Sequence, residues 1–270
     1  MPVFARFAYA SGVSPITLLF LRFALAAPVM LGLVALRRVQ LPRGPALLAL
    51  IGLGGVIYVA QALCYFTALT RAPASLVALI LYLYPVLVAV GAVIVYGERF
   101  TIAKAIALIL ALGGAAMMIG FEKGGATLGI LLAIAAATIY AVYILTGTKV
   151  MRTVPSLAAA AVVICSTGVV YAGLAAIRGP VWPGSPAGWL SIAALAIVST
   201  VAAIAMFFAG LERVGPTSAS ILSTLEPAVA VALAAILLGE ALTPAKIAGG
   251  ALILGAVLVT ARAGAQEARA

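Results

Sequence analysis

The sequence predicts an all-α polytopic membrane protein built from two inverted repeats. Three observations lead to this prediction: an apolar composition, a series of apolar runs of about 20 residues, and a weak internal repeat at a constant offset. Hydrophobic residues make up 66% of the chain and charged residues 8%, whereas a soluble domain has about 25% charged residues. We therefore expect the chain to lie in a lipid bilayer.

Nine runs are long enough to cross a bilayer, because a transmembrane helix needs about 20 apolar residues. The segment before them, residues 1–13, is too short to span and contains Arg6. We interpret it as the end of a helix whose beginning is absent: either the start of the chain is assigned late or truncated, or the protein has nine helices. The predicted spans are Pro15–Leu36, Ala46–Leu69, Ala74–Tyr96, Ile102–Phe121, Thr127–Leu145, Pro155–Ile177, Ala187–Leu211, Thr217–Leu238 and Ala245–Ala261.

The basic residues indicate how the predicted helices are oriented. Membrane proteins keep an excess of Lys and Arg on the cytoplasmic side. If Arg37, Arg38 and Arg43 lie in the cytoplasm and the spans alternate, ten of the 16 basic residues fall on that side and the C-terminus is cytoplasmic. The basic residues are scattered between apolar runs rather than clustered on one face, so they do not indicate nucleic-acid binding.

The internal repeat relates residues 65–112 to residues 207–254, with the offset of 142 that separates residue 85 from residue 227. An odd number of predicted spans separates the two copies, so they enter the membrane in opposite directions. Inverted repeats of this kind are typical of secondary transporters. The recurring residues include Pro85, Gly97, Glu98 and Lys104, which return as Pro227, Gly239, Glu240 and Lys246.

The residue types that are absent exclude several kinds of catalytic site. The chain contains no His, Asp or Asn, which removes most metal sites and the Ser-His-Asp and Cys-His nucleophiles. Cys64 and Cys165 lie inside apolar runs, where a single Cys behaves as a small hydrophobic residue. We expect no catalytic residue, no metal and no cofactor, and a membrane enzyme acting on lipid is disfavoured.

One carboxylate and one guanidinium lie inside the predicted spans. Glu226 is near the middle of its run, and a carboxylate in hydrocarbon faces a cavity or a partner rather than lipid. Three roles stay open for it: it accepts a coupling proton, binds the ammonium group of a substrate, or pairs with Arg22, which alternatively snorkels to the outer interface. Pro227 removes the helical bond of the Ser223 carbonyl, and we predict hinges at Pro227 and at its repeat mate Pro85.

Tyrosines and one amide are the other candidates for a substrate cavity. Tyr58, Gln61 and Tyr65 lie along one stripe of a predicted helix, because their spacing is i, i+3 and i+7. Tyrosine offers an apolar ring and a hydroxyl, which suits a partly apolar zwitterion, although such residues also pack between helices. The remaining candidates for substrate binding are Tyr82, Tyr140, Tyr143 and Ser223, whereas we assign Tyr84 to helix packing.

Small side chains predict close helix contacts in two of the spans. The fourth span carries a stripe of small residues along one helix face, and the last span carries a shorter stripe at Ala251 and Gly255. The first stripe consists of Ala103, Ala107, Ala111 and Ala115. Such stripes let helices approach closely in lipid. They pack either within one chain or against a second chain, so the oligomeric state stays open.

The chain resembles the EamA type of the drug/metabolite transporter superfamily along nearly its whole length. The most specific stretch is the last one, because it joins the LEP triplet, the GE pair and a small-residue helix. The resemblance implies ten helices in two inverted five-helix halves, with residues 1–121 as the first repeat and residues 122–270 as the second; most of the first helix is missing here. The stretches that carry it are PVFARFAYASGVSPITLLFLRFALAA, YFTALTRAPASLVALILYLYPVLVAV and LERVGPTSASILSTLEPAVAVALAAILLGEALTPAKIAGGALILGA.

These features predict a transporter in a bacterial inner membrane that exports a small neutral or zwitterionic metabolite, such as an amino acid, by alternating access through a central cavity. One Glu and one Arg do not form the basic pocket that polyanions need. The alternative is proton-coupled efflux of lipophilic cations, and a more distant one is a non-transporting membrane assembly protein. The expected partners are the lipid bilayer, the small solute and, in the proton-coupled alternative, protons.

Overall fold

The structure, a computed structural model, describes residues 2–120, 126–239 and 241–267. Within these ranges the chain is helical and contains no strand. The helices are α1 (Pro2–Ala10), α2 (Pro15–Leu36), α3 (Pro45–Leu69), α4 (Ala74–Leu81), α5 (Tyr84–Tyr96), α6 (Ile102–Ile119), α7 (Thr127–Met151), α8 (Ser156–Arg178), α9 (Pro186–Ser223), α10 (Leu225–Leu238) and α11 (Pro244–Glu267).

Across the described ranges, eight helical segments are long and apolar enough to cross a membrane, and Leu225–Ile236 is a shorter apolar segment. The prediction of nine spans agrees with this result once α9 is divided at Gly215. Gly215 has φ 76° and ψ 173°, a conformation that glycine adopts at low cost. Pro216 follows it and starts a new helical segment, so α9 contains the end of one predicted span and the beginning of the next.

Two predicted spans are broken at equivalent places of the repeat. A proline has no N–H group, so the carbonyl four residues earlier loses its helical bond. Before each proline, the backbone forms a hydrogen bond between residues three apart in place of four. The Leu83 N–H donates to the Ile80 oxygen at 3.1 Å, and the Thr224 N–H donates to the Ile221 oxygen at 3.0 Å. The breaks therefore precede the prolines by two or three residues, between α4 and α5 and between α9 and α10.

The helix ends of the two copies also share their local geometry. Gly97 and Gly239 end α5 and α10 in the left-handed conformation, with φ values of 64° and 68°, which favours glycine. Thr101 caps α6 and Thr243 caps α11, and each hydroxyl oxygen accepts the N–H of the residue three positions later at 3.3 Å. The repeat seen in the sequence is thus a repeat of backbone geometry.

Two compact units divide the chain. The first unit consists of Met1–Val59 and Thr146–Arg213, and within it α2 packs against α8 and α1 packs against α9. The second unit consists of Ala60–Leu145 and Val214–Ala270, and within it α6 packs against α11. The predicted boundary between the repeats, at residues 121 and 122, lies outside the described residues.

Small residues bring α6 and α11 together within the chain: α6 contributes the predicted stripe, whereas α11 contributes Gly249 and Ala256 instead of the predicted Ala251, which is exposed. Ala107 and Ala111 are fully buried in a cluster with Ala256. A Cβ atom placed on Gly114 would lie 2.6 Å from the Gly249 oxygen, so the two backbones approach at a distance that leaves no room for a side chain. Packing within one chain therefore accounts for the predicted stripe of α6.

Hydrogen bonds between loops agree with the predicted alternation of the spans. In the first unit the Gly184 N–H donates to the Ser11 oxygen at 2.9 Å, and in the second unit the Ala126 N–H donates to the Arg71 oxygen at 2.9 Å. The predicted orientation puts the two members of each pair on the same side of the membrane, so these hydrogen bonds are consistent with it.

Candidate functional site

Four tyrosine rings form a continuous chain in the second unit. The Tyr84 ring lies edge-on to the Tyr140 ring, with 4.7 Å between centroids, and its centroid is 6.4 Å from that of Tyr82. Tyr140 stacks on Tyr143 with 5.9 Å between centroids. The break between α4 and α5 brings Tyr82 and Tyr84 into one row, which we call the tyrosine row.

The end of α9 contacts the tyrosine row through Tyr84. The Tyr84 hydroxyl donates to the Ser220 oxygen at 3.3 Å and lies within hydrogen-bonding reach of the Ser223 side chain. Ser223 also donates to the Ala219 oxygen at 2.8 Å. Tyr84 is buried, in agreement with its assignment to packing, and it also links Ser223 to the aromatic rings.

Glu226 lies in the first turn of α10 and is exposed. Its carboxylate interacts electrostatically with Tyr65, Tyr82 and Tyr84, and it forms no hydrogen bond or ion pair with the described residues of the second unit. The free N–H groups at the start of a helix favour a negative charge. An exposed carboxylate in an apolar helix requires water or a polar ligand beside it.

Arg22 occupies a different environment in the first unit. It is only 4% exposed; its Nε atom donates to the Thr200 hydroxyl, and its Nη2 atom donates to the Ser199 oxygen at 2.9 Å. Thr200 in turn donates to the Leu195 oxygen at 2.9 Å. Ser199 and Thr200 belong to a π-helical turn, Ile197–Ala202, so the guanidinium binds a segment whose helical hydrogen bonds are rearranged.

A cluster of aromatic rings lies on one side of this guanidinium. The Arg22 guanidinium carbon lies 5.2 Å from the centroid of the Phe23 ring, which contacts Tyr58 and stacks on Tyr171, each with 5.9 Å between centroids. Tyr58 therefore lies in the first unit and packs against Phe23. The pairing of Arg22 with Glu226 stays a prediction.

The structure thus groups most of the predicted site residues in the second unit. Gln61 is half-buried in α3, and its contribution to a cavity stays a prediction. Tyr58 is the predicted residue that lies among the neighbours of Arg22 instead. The grouped residues are Tyr65, Tyr82, Tyr140, Tyr143, Ser223 and Glu226.

A buried ion pair in the second unit was not predicted. Lys104 is 6% exposed, and its Nζ atom lies 3.0 Å from Glu98 Oε1 and donates to the Arg99 oxygen at 3.2 Å. The Thr217 hydroxyl donates to Glu98 Oε2 at 2.9 Å. A single Lys near the start of an apolar helix, with a Glu six residues before it, is the signal in the sequence that indicates this pair.

Comparisons with known proteins give a family match and bacterial relatives. A model described as the EamA-like transporter family matches residues 1–120 and 127–262. YwfM of Bacillus subtilis, named an uncharacterized transporter, is 30% identical over 160 residues, which are 58% of this chain and 54% of that protein. The aromatic amino acid exporter YddG of Ancylobacter novellus is 28% identical over 202 residues, 72% of this chain and 69% of that protein.

A solved crystal structure shares the fold. It has a TM-score of 0.83 and 26% sequence identity, and the match covers 97% of this chain and 93% of the other. The sequence match to YwfM spans about half of that protein's length. The chain is similar to these proteins, and the solved crystal structure supports the all-helical membrane fold described above.

Proposed function

Because the chain belongs to the EamA-like transporter family, we propose that it exports a small neutral or zwitterionic metabolite, such as an amino acid, by alternating access. Family membership makes the chain an integral membrane transporter and not an enzyme. The choice of solute rests on one observation: Glu226 is an exposed carboxylate beside the tyrosine row.

Glu226 and the tyrosine row are suited to the two ends of an amino acid. The carboxylate attracts the ammonium group, and the rings of Tyr82 and Tyr140 offer apolar faces to its side chain. Tyrosine hydroxyls then discriminate among polar groups of the solute. The name of one relative, an aromatic amino acid exporter, supports the same class of solute.

The two broken spans supply the bending points that alternating access needs. Pro85 and Pro227 follow helix breaks at equivalent places of the repeat, and broken helices at mid-membrane are typical of secondary transporters. We therefore propose that both prolines act as hinges. The motion would change the angle between α4 and α5 and between α9 and α10.

Reconstitution into liposomes tests the proposal. Liposomes containing the protein are loaded with a mixture of amino acids and other small metabolites, and the solutes released are identified by mass spectrometry. We expect amino acids to leave faster than from empty liposomes, and Glu226→Gln to abolish most of this difference. Glu212→Gln is the matched control, because Glu212 is exposed and lies in the first unit; equal loss in both variants would contradict the proposed role of Glu226.

Proton-coupled efflux of lipophilic cations is the second candidate, and the same carboxylate favours it. A carboxylate surrounded by aromatic rings attracts cations through both charge and cation–π interactions. Competition between solutes separates the two proposals. If the protein exports amino acids, added zwitterions inhibit the export; if it exports drugs, added lipophilic cations inhibit the efflux. Efflux that follows an imposed pH gradient and loses this dependence in Glu226→Gln supports the second.

The orientation and the location are part of the proposal. The excess of Arg and Lys in loops such as residues 37–44 favours a cytoplasmic C-terminus in a bacterial inner membrane. Reporter domains fused to the C-terminus test this orientation, because alkaline phosphatase is active outside the cytoplasm and green fluorescent protein is fluorescent inside it. A fluorescent fusion without phosphatase activity is the expected result.

A further inference from the structure

An apolar groove and a polar hollow adjoin each other in the first unit, and neither contains a residue of the candidate transport site. The groove has a volume of about 520 Å³ and is lined by α2, α3 and α8. The hollow has a volume of about 1010 Å³ and is formed by the end of α2 and the loop that follows it. Leu31 and Leu41 line both, so the two spaces lie side by side.

The groove is open on the side of the transmembrane helices. Val56 and Val169 line it and are 66% and 72% exposed. In a membrane, such exposed apolar side chains meet hydrocarbon. Its lining contains no charged residue, so an acyl chain fits its chemistry.

One arginine lines the hollow, and two more lie in the loop that forms it. Arg43 lines it, and Arg37 and Arg38 lie in the same loop; all three side chains are exposed. The segment 37–44 contains no acidic residue. A cluster of Arg beside a transmembrane helix attracts anionic lipid headgroups, and guanidinium groups bind phosphate in a bidentate manner.

The backbone at the end of α2 strengthens the case for these arginines. The Arg38 N–H donates to the Ala35 oxygen at 3.1 Å and the Val39 N–H donates to the Val34 oxygen at 3.0 Å, which together form a Schellman motif. Arg38 has φ 51° and is the single non-glycine residue with positive φ in the described chain. Glycine adopts this conformation with less strain, so the motif carries a cation where the backbone alone favours a glycine.

We propose that the groove and the hollow together bind one anionic phospholipid. One acyl chain lies in the apolar groove, and the headgroup phosphate lies at Arg37, Arg38 and Arg43. Charge complementarity selects this ligand over a zwitterionic phospholipid, which offers no net negative charge to three guanidinium groups. The lipid would sit in the leaflet that the charge distribution of the sequence identifies as cytoplasmic.

Cys165 provides a reporter for the test, because it lines the groove and is half-buried. In a Cys64→Ser variant, Cys165 is the remaining cysteine and carries a small fluorophore. The labelled protein is placed in phosphatidylcholine vesicles in which part of the lipid is replaced by brominated phosphatidylglycerol or by brominated phosphatidylcholine. Bromine quenches the fluorophore when the acyl chain is in contact with it, so the mole fraction needed for half-quenching measures the preference.

We expect half-quenching at about a tenfold lower fraction of phosphatidylglycerol than of phosphatidylcholine. The matched reporter site is Leu254→Cys with Cys64 and Cys165 replaced by Ser, because Leu254 is 54% exposed on α11; the two lipids should quench it equally. Equal quenching by both lipids at Cys165, or the same preference at Leu254, would overturn the proposal.

The combined variant Arg37→Gln, Arg38→Gln, Arg43→Gln tests the headgroup site. It should lower the preference to less than about twofold, whereas the control Arg178→Gln, an exposed cation at the end of α8, should leave it unchanged. A similar loss in both would assign the effect to general surface potential and contradict the proposed site. Loss of three arginines can also alter membrane insertion, so the protein with its native arginines is also titrated with salt. If its preference for phosphatidylglycerol does not fall at high ionic strength, that result alone contradicts the proposal.

Discussion

Arg22 in the first unit and Glu226 in the second are both charged residues in apolar helices, and they occupy opposite environments. Arg22 is 4% exposed and donates hydrogen bonds to Ser199 and Thr200. Glu226 is exposed and interacts with tyrosines through its charge alone. From the sequence the two residues look alike, since each is a single charge in an apolar run.

Burial and partners, rather than the unit in which a charge lies, separate these two environments. Lys104 in the second unit resembles Arg22, because it is 6% exposed and paired with Glu98 at 3.0 Å. A charge whose donors are bound inside the protein stabilises the fold, and a charge open to water remains available to a ligand. The following variants test whether this distinction predicts stability and transport.

The largest effect is expected from Arg22→Met, which keeps an unbranched apolar stem and removes the guanidinium group with its hydrogen bonds. Each hydrogen bond to a charged group contributes about 1.5–3 kcal/mol, so we expect the free energy of unfolding to fall by about 3 kcal/mol or more. Thermal unfolding in detergent measures it. Arg22→Lys keeps the charge without the planar fork and should give an intermediate loss, and an unchanged unfolding temperature for Arg22→Met would contradict a structural role.

A smaller loss of stability is expected from Lys104→Met. Removing one partner of a fully buried pair costs about 3–5 kcal/mol, but Glu98 is 19% exposed and keeps its bond to Thr217, so we expect about 2 kcal/mol. Glu98→Gln and the double variant complete a mutant cycle. If the two single effects simply add, the ion pair contributes nothing and the comparison with Arg22 fails.

Glu226→Gln should leave the fold intact and reduce transport. We expect export to fall about tenfold, which corresponds to about 1.4 kcal/mol of lost interaction with the transported solute, with an unfolding temperature close to that of the unchanged protein. Rates of export from liposomes and thermal unfolding are measured on the same preparation. A large fall in the unfolding temperature would contradict this prediction, because it would mean that Glu226, like Arg22, stabilises the fold.

The sequence predicted the helices well because apolar length, proline and glycine act locally. The nine spans, the breaks near Pro85 and Pro227 and the small-residue stripe of α6 are properties of single segments. Thr200, a partner of Arg22, and Thr217, a partner of Glu98, could not be predicted in this way, because they lie 178 and 119 residues away in the chain. Such contacts depend on how helices pack, which periodicity does not specify.

A local feature of the backbone explains why Tyr58 contacts Phe23. The predicted stripe of Tyr58 with Gln61 and Tyr65 assumes 3.6 residues per turn along the whole helix. The structure contains a π-helical turn at Leu53–Tyr58, and such a turn rotates the side chains before it relative to those after it. The same type of turn recurs at Ile197–Ala202, in the region that corresponds to it in the second copy, where it presents the Ser199 oxygen to Arg22.

The smallest effect is expected from Tyr171→Phe, next to Arg22. The Tyr171 hydroxyl is buried without a hydrogen-bond partner among the described residues, while its ring stacks on Phe23 with 5.9 Å between centroids. Removing an unsatisfied buried hydroxyl and keeping the ring should raise the free energy of unfolding by up to about 1 kcal/mol. Thermal unfolding of Tyr171→Phe, with Tyr171→Leu as the control that removes the ring, measures both contributions. A loss of stability in Tyr171→Phe as large as in Tyr171→Leu would mean that the hydroxyl, rather than the ring, supports the site of Arg22.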